Sequence, residues 1–187
     1  SGEIKFRPSG HIIKDWRYYM ISLRIKNTKT FMSHLLVKDT FDNFLLSEAD
    51  IKTSCSHSID GQINRVFYSD EEWETLEGDA RRYELWLNQK PFCFSLIKGS
   101  KVPSSMKIVM LMSTKDTEAL LSQIEAGLST DNINGLFINI RYQEGHADII
   151  TGTSLNIFSL DKTLDTAFDS YIKKFLADKG LDFEETE

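Results

Sequence analysis

Nowhere in these 187 residues do about eighteen apolar residues run together, so no segment has the makings of a transmembrane helix. The N-terminus also lacks the apolar stretch of a secretory signal. Cysteine is almost missing. Cys55 and Cys93 stand far apart and form no CxxC pair, and a structural zinc centre needs more ligands at closer spacing. Both are expected as reduced, partly buried thiols. His34 and His57 are the available bases for a catalytic thiol, but no local motif supports one. These absences point to a cytoplasmic location. Positive charge is in deficit too: 22 Lys and Arg against 28 Asp and Glu leave a net charge of −6. An acidic balance argues against nucleic acid and membranes as partners, since both favour basic surfaces.

The motif search adds further absences. No GxxxxGK[ST] loop and no GxGxxG is present to cradle a phosphate, no HExxH to hold zinc, and no GxSxG to present a nucleophilic serine. No internal repeat and no low-complexity segment occurs. The length suits one domain with a real core.

What is present is organised around Leu136–Phe158. Leu136, Ile138, Ile140 and Tyr142 alternate with Asn139, Arg141 and Gln143. After Glu144-Gly145 the alternation resumes through Ala147, Ile149, Leu155 and Ile157. This pattern predicts a β-hairpin. A hairpin alone is marginal in water and needs a sheet and a covering layer.

Residues 1–19 show no clean period and read as an N-terminal extension or a vector-derived segment, with Met20 as the natural start. Ile21, Leu23 and Ile25 predict a strand, and Phe31, Met32, Leu35 and Leu36 a helix over about 28–38. Residues 41–68 predict one bulged strand or two strands ending near Ile59, a turn at Asp60-Gly61 and an extended piece from Ile63 to Tyr68. Ser69-x-x-Glu72 has the form of a capping box and predicts a helix ending near Gly78. Pro91 argues against a central strand and for a short helix from Pro91 to Gly99. Ser105–Ser113 is apolar on both faces, the mark of a central strand. Thr114 is expected to cap a helix that Gly127 ends. Asp161 or Thr163 is expected to cap the strongest helix, which Gly180 ends, and 181–187 to form an acidic, mobile tail. The expectation is a single α+β domain over 20–180, one mainly antiparallel sheet with helices packed on it.

Four groups of residues could carry chemistry. Glu48, Asp50, His57 and Asp60 could hold a divalent cation or act as acid and base, because carboxylates at i and i+2 of a strand share a face. Charged strand faces are also the ordinary solvated side of an antiparallel sheet. Lys98, Lys101 and Lys107 could contact an anion, although a lysine-bearing Gly-Ser turn is more often plain connection. Thr151-Gly152-Thr153-Ser154 resembles an anion nest, but Gly152 within a strand reads better as a bulge or as a close approach by another backbone. Phe168, Tyr171 and Phe175 form a stripe that suits core packing better than a partner face.

Thr30-Phe31-Met32, Thr40-Phe41-Asp42, Phe44-Leu45-Leu46-Ser47-Glu48-Ala49, Ile59-Asp60-Gly61, Pro91-Phe92-Cys93-Phe94, Leu96-Ile97-Lys98-Gly99, Lys107-Ile108-Val109, Asn134-Gly135 and Thr151-Gly152-Thr153-Ser154 together resemble an uncharacterised bacterial domain-of-unknown-function family over about residues 20–178. The resemblance implies a small bacterial cytoplasmic protein and brings no activity, cofactor or catalytic residue. The expected function is therefore a non-catalytic binding or self-associating module, with a homo-oligomer or a protein as partner. The alternatives are a metal- or phosphate-dependent enzyme using the acidic strand face, and nucleic-acid binding through the lysines.

Overall fold

A computed structural model describes residues 21–99 and 101–186. The expected start at Met20 and the segment before it lie outside the described residues. The elements in order are β1 (Ser22–Ile25), α1 (Thr28–Leu36), β2 (Leu45–Lys52), β3 (Ser56–Asp60), α2 (Asp70–Thr75), β4 (Glu84–Leu85), α3 (Trp86–Ile97), β5 (Ser105–Leu111), α4 (Thr114–Leu121), β6 (Ile133–Gln143), β7 (His146–Leu155), α5 (Thr163–Asp178) and β8 (Phe183–Thr186). The strands form one antiparallel sheet in the order β3-β2-β5-β6-β7-β1-β8, with β4 beside β2. The fold is α+β, as the sequence pattern predicts.

Two neighbouring rows across this sheet show how it is held. Ala49, Ile108, Ile140, Ile149 and Leu23 lie side by side on five strands. All five are fully buried. One residue along, Ser58, Asp50, Lys107, Arg141, Asp148, Arg24 and Glu184 form the next row. Side chains alternate with period two, so a one-residue slip would drive the charged row into the core. Burial of each large aliphatic is worth roughly 1.5–3 kcal/mol before entropy is counted. The charged row adds little beside that. Arg24 grips Asp148 at 2.9 and 3.3 Å, but exposed pairs contribute about 0–1 kcal/mol.

Helices cover the apolar side. Phe31 and Leu35 of α1, Trp86 and Cys93 of α3, Leu120 of α4, and Leu164, Phe168, Ile172 and Leu176 of α5 join one core with the apolar row. Caps set the starts of α1 and α4: Asn27 accepts from Thr30 N at 2.9 Å and Ser113 from Asp116 N at 3.1 Å. The α4 cap is thus Ser113, and Thr114 is the first helical residue. Glu144 (φ 51°) and Gly145 (φ 81°) make the two-residue turn between β6 and β7, the primed type that matches strand twist.

Several expectations need correction. Residues 41–60 form two strands, β2 and β3, joined at Thr53–Cys55, where Thr53 N donates to Cys55 O at 2.9 Å, and β3 ends at Asp60, next to the expected turn. Gly61 itself packs against the β2 backbone: a Cβ there would stand 2.0 Å from Leu46 O. The extended piece expected at 63–68 is a 3-10 turn over Arg65–Phe67, because the Asn64 side chain accepts from Val66 N at 3.2 Å. Pro91 falls inside α3 and does not open it. It sits on the exposed side, where the carbonyl it leaves without a donor can turn to water. Helix α4 stops at Leu121, well before Gly127, as Ser122 Oγ turns back onto Ala119 O at 2.8 Å. No bulge falls at Gly152, which pairs in register with Phe137; the β6–β7 register shifts further along, between Ile133 and Gly135. Residues 183–186 of the expected acidic tail form strand β8 on β1. Leu181, nearly fully buried, anchors it, and Lys26 N donates to Asp182 O at 2.9 Å.

Candidate functional site on the outer face of α3

The acidic cluster is only partly brought together. Glu48 and Asp50 project from β2 on the face away from the helices, and Asp60 stands opposite Glu48. His57 stands opposite Ile51, so its ring projects from the other face. Asp50 accepts from Ser58 Oγ at 2.7 Å, Asp60 accepts from Gln62 N at 2.9 Å, and Glu48 pairs with Lys107. Among the described residues, no three His, Cys, Asp or Glu gather with a geometry that could hold a metal ion. His57 Nε2 lies 3.3 Å from Cys55 Sγ instead. Cys55 is exposed, not partly buried as expected.

The three lysines divide likewise. Lys107 is committed to Glu48 on the open sheet face, while Lys98 and Lys101 are exposed in the connection between α3 and β5. The hydroxyls of Thr151 and Thr153 are also committed: they donate to Asp169 at 2.6 Å and to Asp165. Residues two apart on a strand and four apart on a helix both repeat at about 6–7 Å, so Thr151-x-Thr153 can match Asp165 and Asp169 along α5. That spacing was readable in the sequence. Burial raises the Asp169 carboxyl above the ordinary range, against the opposing Thr151 hydrogen bond.

Among the other single residues, His34 is packed and satisfied. Its Nδ1 faces Thr40 Oγ1 at 2.8 Å and its Nε2 faces Lys38 Nζ at 2.8 Å. Burial and Lys38 both hold its pKa below the usual value. His146 is exposed. Phe168 is core, whereas Tyr171 and Phe175 are half-buried and line a groove of ≈ 530 Å³ between α4 and α5.

Helix α3 is built differently from every other helix. Its inner side is Trp86, Lys90 and Cys93, at i, i+4 and i+7, all buried. Trp86 Nε1 donates to Leu35 O at 2.9 Å. Lys90 Nζ donates to Lys38 O at 2.9 Å and forms an ion pair with Asp42. A buried cation is tolerable only when paired and hydrogen-bonded, and these contacts clamp α3 to the segment after α1. The Cys93 thiol is pushed up to about 11 by burial and stays protonated. Its environment is that of a packed side chain and not of a nucleophile.

The outer side is also apolar. Leu87, Pro91 and Phe94 repeat at i, i+4 and i+7, flanked by Leu85 and Phe92. Phe92 is 62% exposed, Leu87 47% and Phe94 41%. The exposed positions of α3 are Leu87, Asn88, Pro91, Phe92, Phe94 and Ser95, and none is charged. A helix apolar all round is normally buried all round, yet half of this one faces water. The sequence showed the apolar residues, but their near-alternation hid the helical stripe.

An eight-stranded antiparallel sheet with helices on one face, and a helix with an uncovered apolar side, define an α+β protein. Residues 34–184 match the model of a family of unknown function, DUF5721, and the chain belongs to that family. No curated protein and no solved structure matches it. Among the described residues no helix is long and apolar enough to cross a membrane.

Proposed function

We propose that the chain is a non-catalytic, self-associating module of the bacterial cytoplasm that docks the outer face of α3 onto the same face of a second copy. The observation that carries this reading is the uncharged, exposed apolar stripe of Leu85, Leu87, Pro91, Phe92 and Phe94. Exposed apolar patches of this kind mark interaction sites. The absence of charge favours an equally uncharged partner surface, and a two-fold interface lets one patch serve both partners. The size is suitable. With fully exposed Leu and Phe side chains at roughly 200 Å² each, the patch offers about 350 Å² of apolar surface. Two copies bring about 700 Å², which is the apolar share of an interface of about 1,200 Å². The bacterial cytoplasm as its setting rests on the family resemblance and on two cysteines left as free thiols.

Sedimentation velocity of the full chain across a concentration series tests the proposal. The expected result is a dimer with a micromolar dissociation constant, about 8 kcal/mol of association. Phe92→Glu should give a monomer with an unchanged far-ultraviolet circular dichroism spectrum, because it places a charge within the interface at an exposed position. A wild-type chain that remains monomeric throughout the series would overturn it, as would a dimer indifferent to Phe92→Glu and Leu87→Glu.

A further inference from the structure

Residues 62–83 make an excursion between β3 and β4 in which no residue is buried. Their internal order is local. Ser69 and Glu72 close the capping box at 3.2 and 2.8 Å. The Trp73 ring has the Arg65 guanidinium 4.9 Å and the Arg81 guanidinium 5.6 Å from its centre. Arg81 also donates to Leu76 O at 2.6 Å and Trp73 O at 3.2 Å. At its base the chain closes on itself through the antiparallel Gln62–Tyr83 bridge, with Ile63 N donating to Arg82 O at 3.0 Å.

Its hold on the rest of the molecule is narrow. The Asp79 carboxylate accepts from Thr114 N at 2.7 Å and from Thr114 Oγ1 at 2.6 Å, at the first turn of α4. Arg82 Nη2 donates to Asn134 O at 3.0 Å. Beneath these contacts lies a cleft of ≈ 180 Å³ whose lining includes Leu45, Arg82, Leu111, Thr114 and Asn134. Leu45 and Leu111 pair across β2 and β5, and both are nearly fully buried yet outside the main core.

We infer that residues 62–83 are a hinged strap that opens from the end of the sheet as one unit, with the Gln62–Tyr83 bridge as hinge and Asp79 on Thr114 as latch. Segments with few buried apolar contacts open below the free energy of global unfolding. The strap's internal contacts keep it ordered among themselves. Among the described residues, the side-chain hydrogen bonds that opening must break are those of Asp79 to Thr114 and of Arg82 to Asn134. Opening gives the Asp79 carboxylate back to water, frees the Thr114 amide and uncovers Leu45 and Leu111.

Hydrogen exchange followed by mass spectrometry on the full chain tests this. In the wild type, amides of 62–83 should exchange well ahead of those of β6 and β7. Asp79→Ala should accelerate them about 10-fold or more, since it removes two hydrogen bonds to a charged acceptor. The first-turn amides of α4 should accelerate in step, while β6 and β7 remain unchanged. Thr114→Val removes only the hydroxyl and should give a smaller change of the same sign, which covers the case of a poorly folded Asp79→Ala. Exchange of 62–83 in step with β6 and β7 would overturn the strap. Unchanged exchange in both variants would overturn the latch.

Discussion

The β6–β7 hairpin and the strap over 62–83 are of nearly equal length and are held in opposite ways. In the hairpin every second residue is sunk in the core: Leu136, Ile138 and Ile140 on one strand, Ala147 and Ile149 on the other. In the strap no residue is buried, and order comes from a capping box, two guanidiniums on an indole and a base-pairing bridge. The hairpin borrows its stability from the whole sheet, and the strap makes its own. Cooperative burial fixes a segment for as long as the protein is folded, whereas local polar contacts fix it only until they open. A protein that must keep a fold and also move part of its surface needs both kinds.

The most severe way to probe this contrast is a cavity at the centre of the apolar row. Ile140→Ala should lower the free energy of unfolding by about 2–5 kcal/mol, the range for buried aliphatic truncations. Urea titration would measure it, and a loss under about 1 kcal/mol would show that the row is not cooperative with the sheet. Next comes Gly61→Ala, at the joint where the core gives way to the strap. Its Cβ would strike the Leu46 carbonyl, so a cost of about 1–3 kcal/mol is expected from overpacking. That cost belongs to global stability. If only strap exchange rises, the joint moves with the strap and not with the sheet.

Smaller effects separate the hairpin's own parts. Asp169 ties α5 to Thr151, and burial raises its pKa in the folded chain. A group with a raised folded pKa contributes stability below its unfolded value, about 3.9, and loses that contribution as pH rises through the folded value. At neutral pH Asp169 is therefore a net burden, to which the nearby Asp165 and Glu185 add and which Lys173 offsets. Asp169→Asn should gain stability at pH 7, and the gain should shrink as pH falls toward 3, as thermal midpoints across that range would show. A gain that grew on acidification would reverse the sign. At the hairpin tip, Glu144 is the one non-glycine described residue with positive φ. Glu144→Asn should stabilise the chain by about 0.5–1 kcal/mol, because Asn tolerates the left-handed conformation that Glu resists.

The same contrast explains what the sequence made legible. Period-two alternation is a direct image of burial, so β1, β6 and β7 could be read from it, while apolar residues on both faces marked β5 as an inner strand. The 3.6-residue period gave α5 for the same reason. Leu181 and Phe183 were too short a signal beside the acids of 182–187, so β8 was missed. The turn was placed at Asp60-Gly61 because Gly reads as a turn, whereas this glycine answers to a backbone contact with Leu46 that only tertiary structure reveals. For the candidate sites the limit was the sheet face. Glu48 and Asp50 share a side as their spacing predicts, but His57 and Asp60 both belong to β3, whose register with β2 decides their sides, and three residues apart they fall on opposite faces. The clamp of Lys90 on Asp42 and the latch of Asp79 on Thr114 join residues far apart in the chain, and no local pattern announces them.

The smallest effect on global stability is the most discriminating. Trp73→Ala removes the ring that Arg65 and Arg81 share and its contact with Tyr68 at 6.1 Å. At exposed sites each cation–π contact is worth about 0.5–1 kcal/mol. Within the strap that loss is large, since no residue of 62–83 is buried and the ring joins Arg65, Arg81 and Tyr68, and exchange of 62–83 should rise roughly 5- to 30-fold. Across the whole chain the free energy of unfolding from urea titration should fall by less than about 0.5 kcal/mol, because the core loses no buried contact. An indole deleted from the core would behave in the opposite way, with global stability falling by several kcal/mol. If Trp73→Ala lowered global stability by as much as it loosened the strap, the strap would be unfolding only with the sheet. The two regions would then form one cooperative unit, with Asp79 serving as a helix cap and not as a latch.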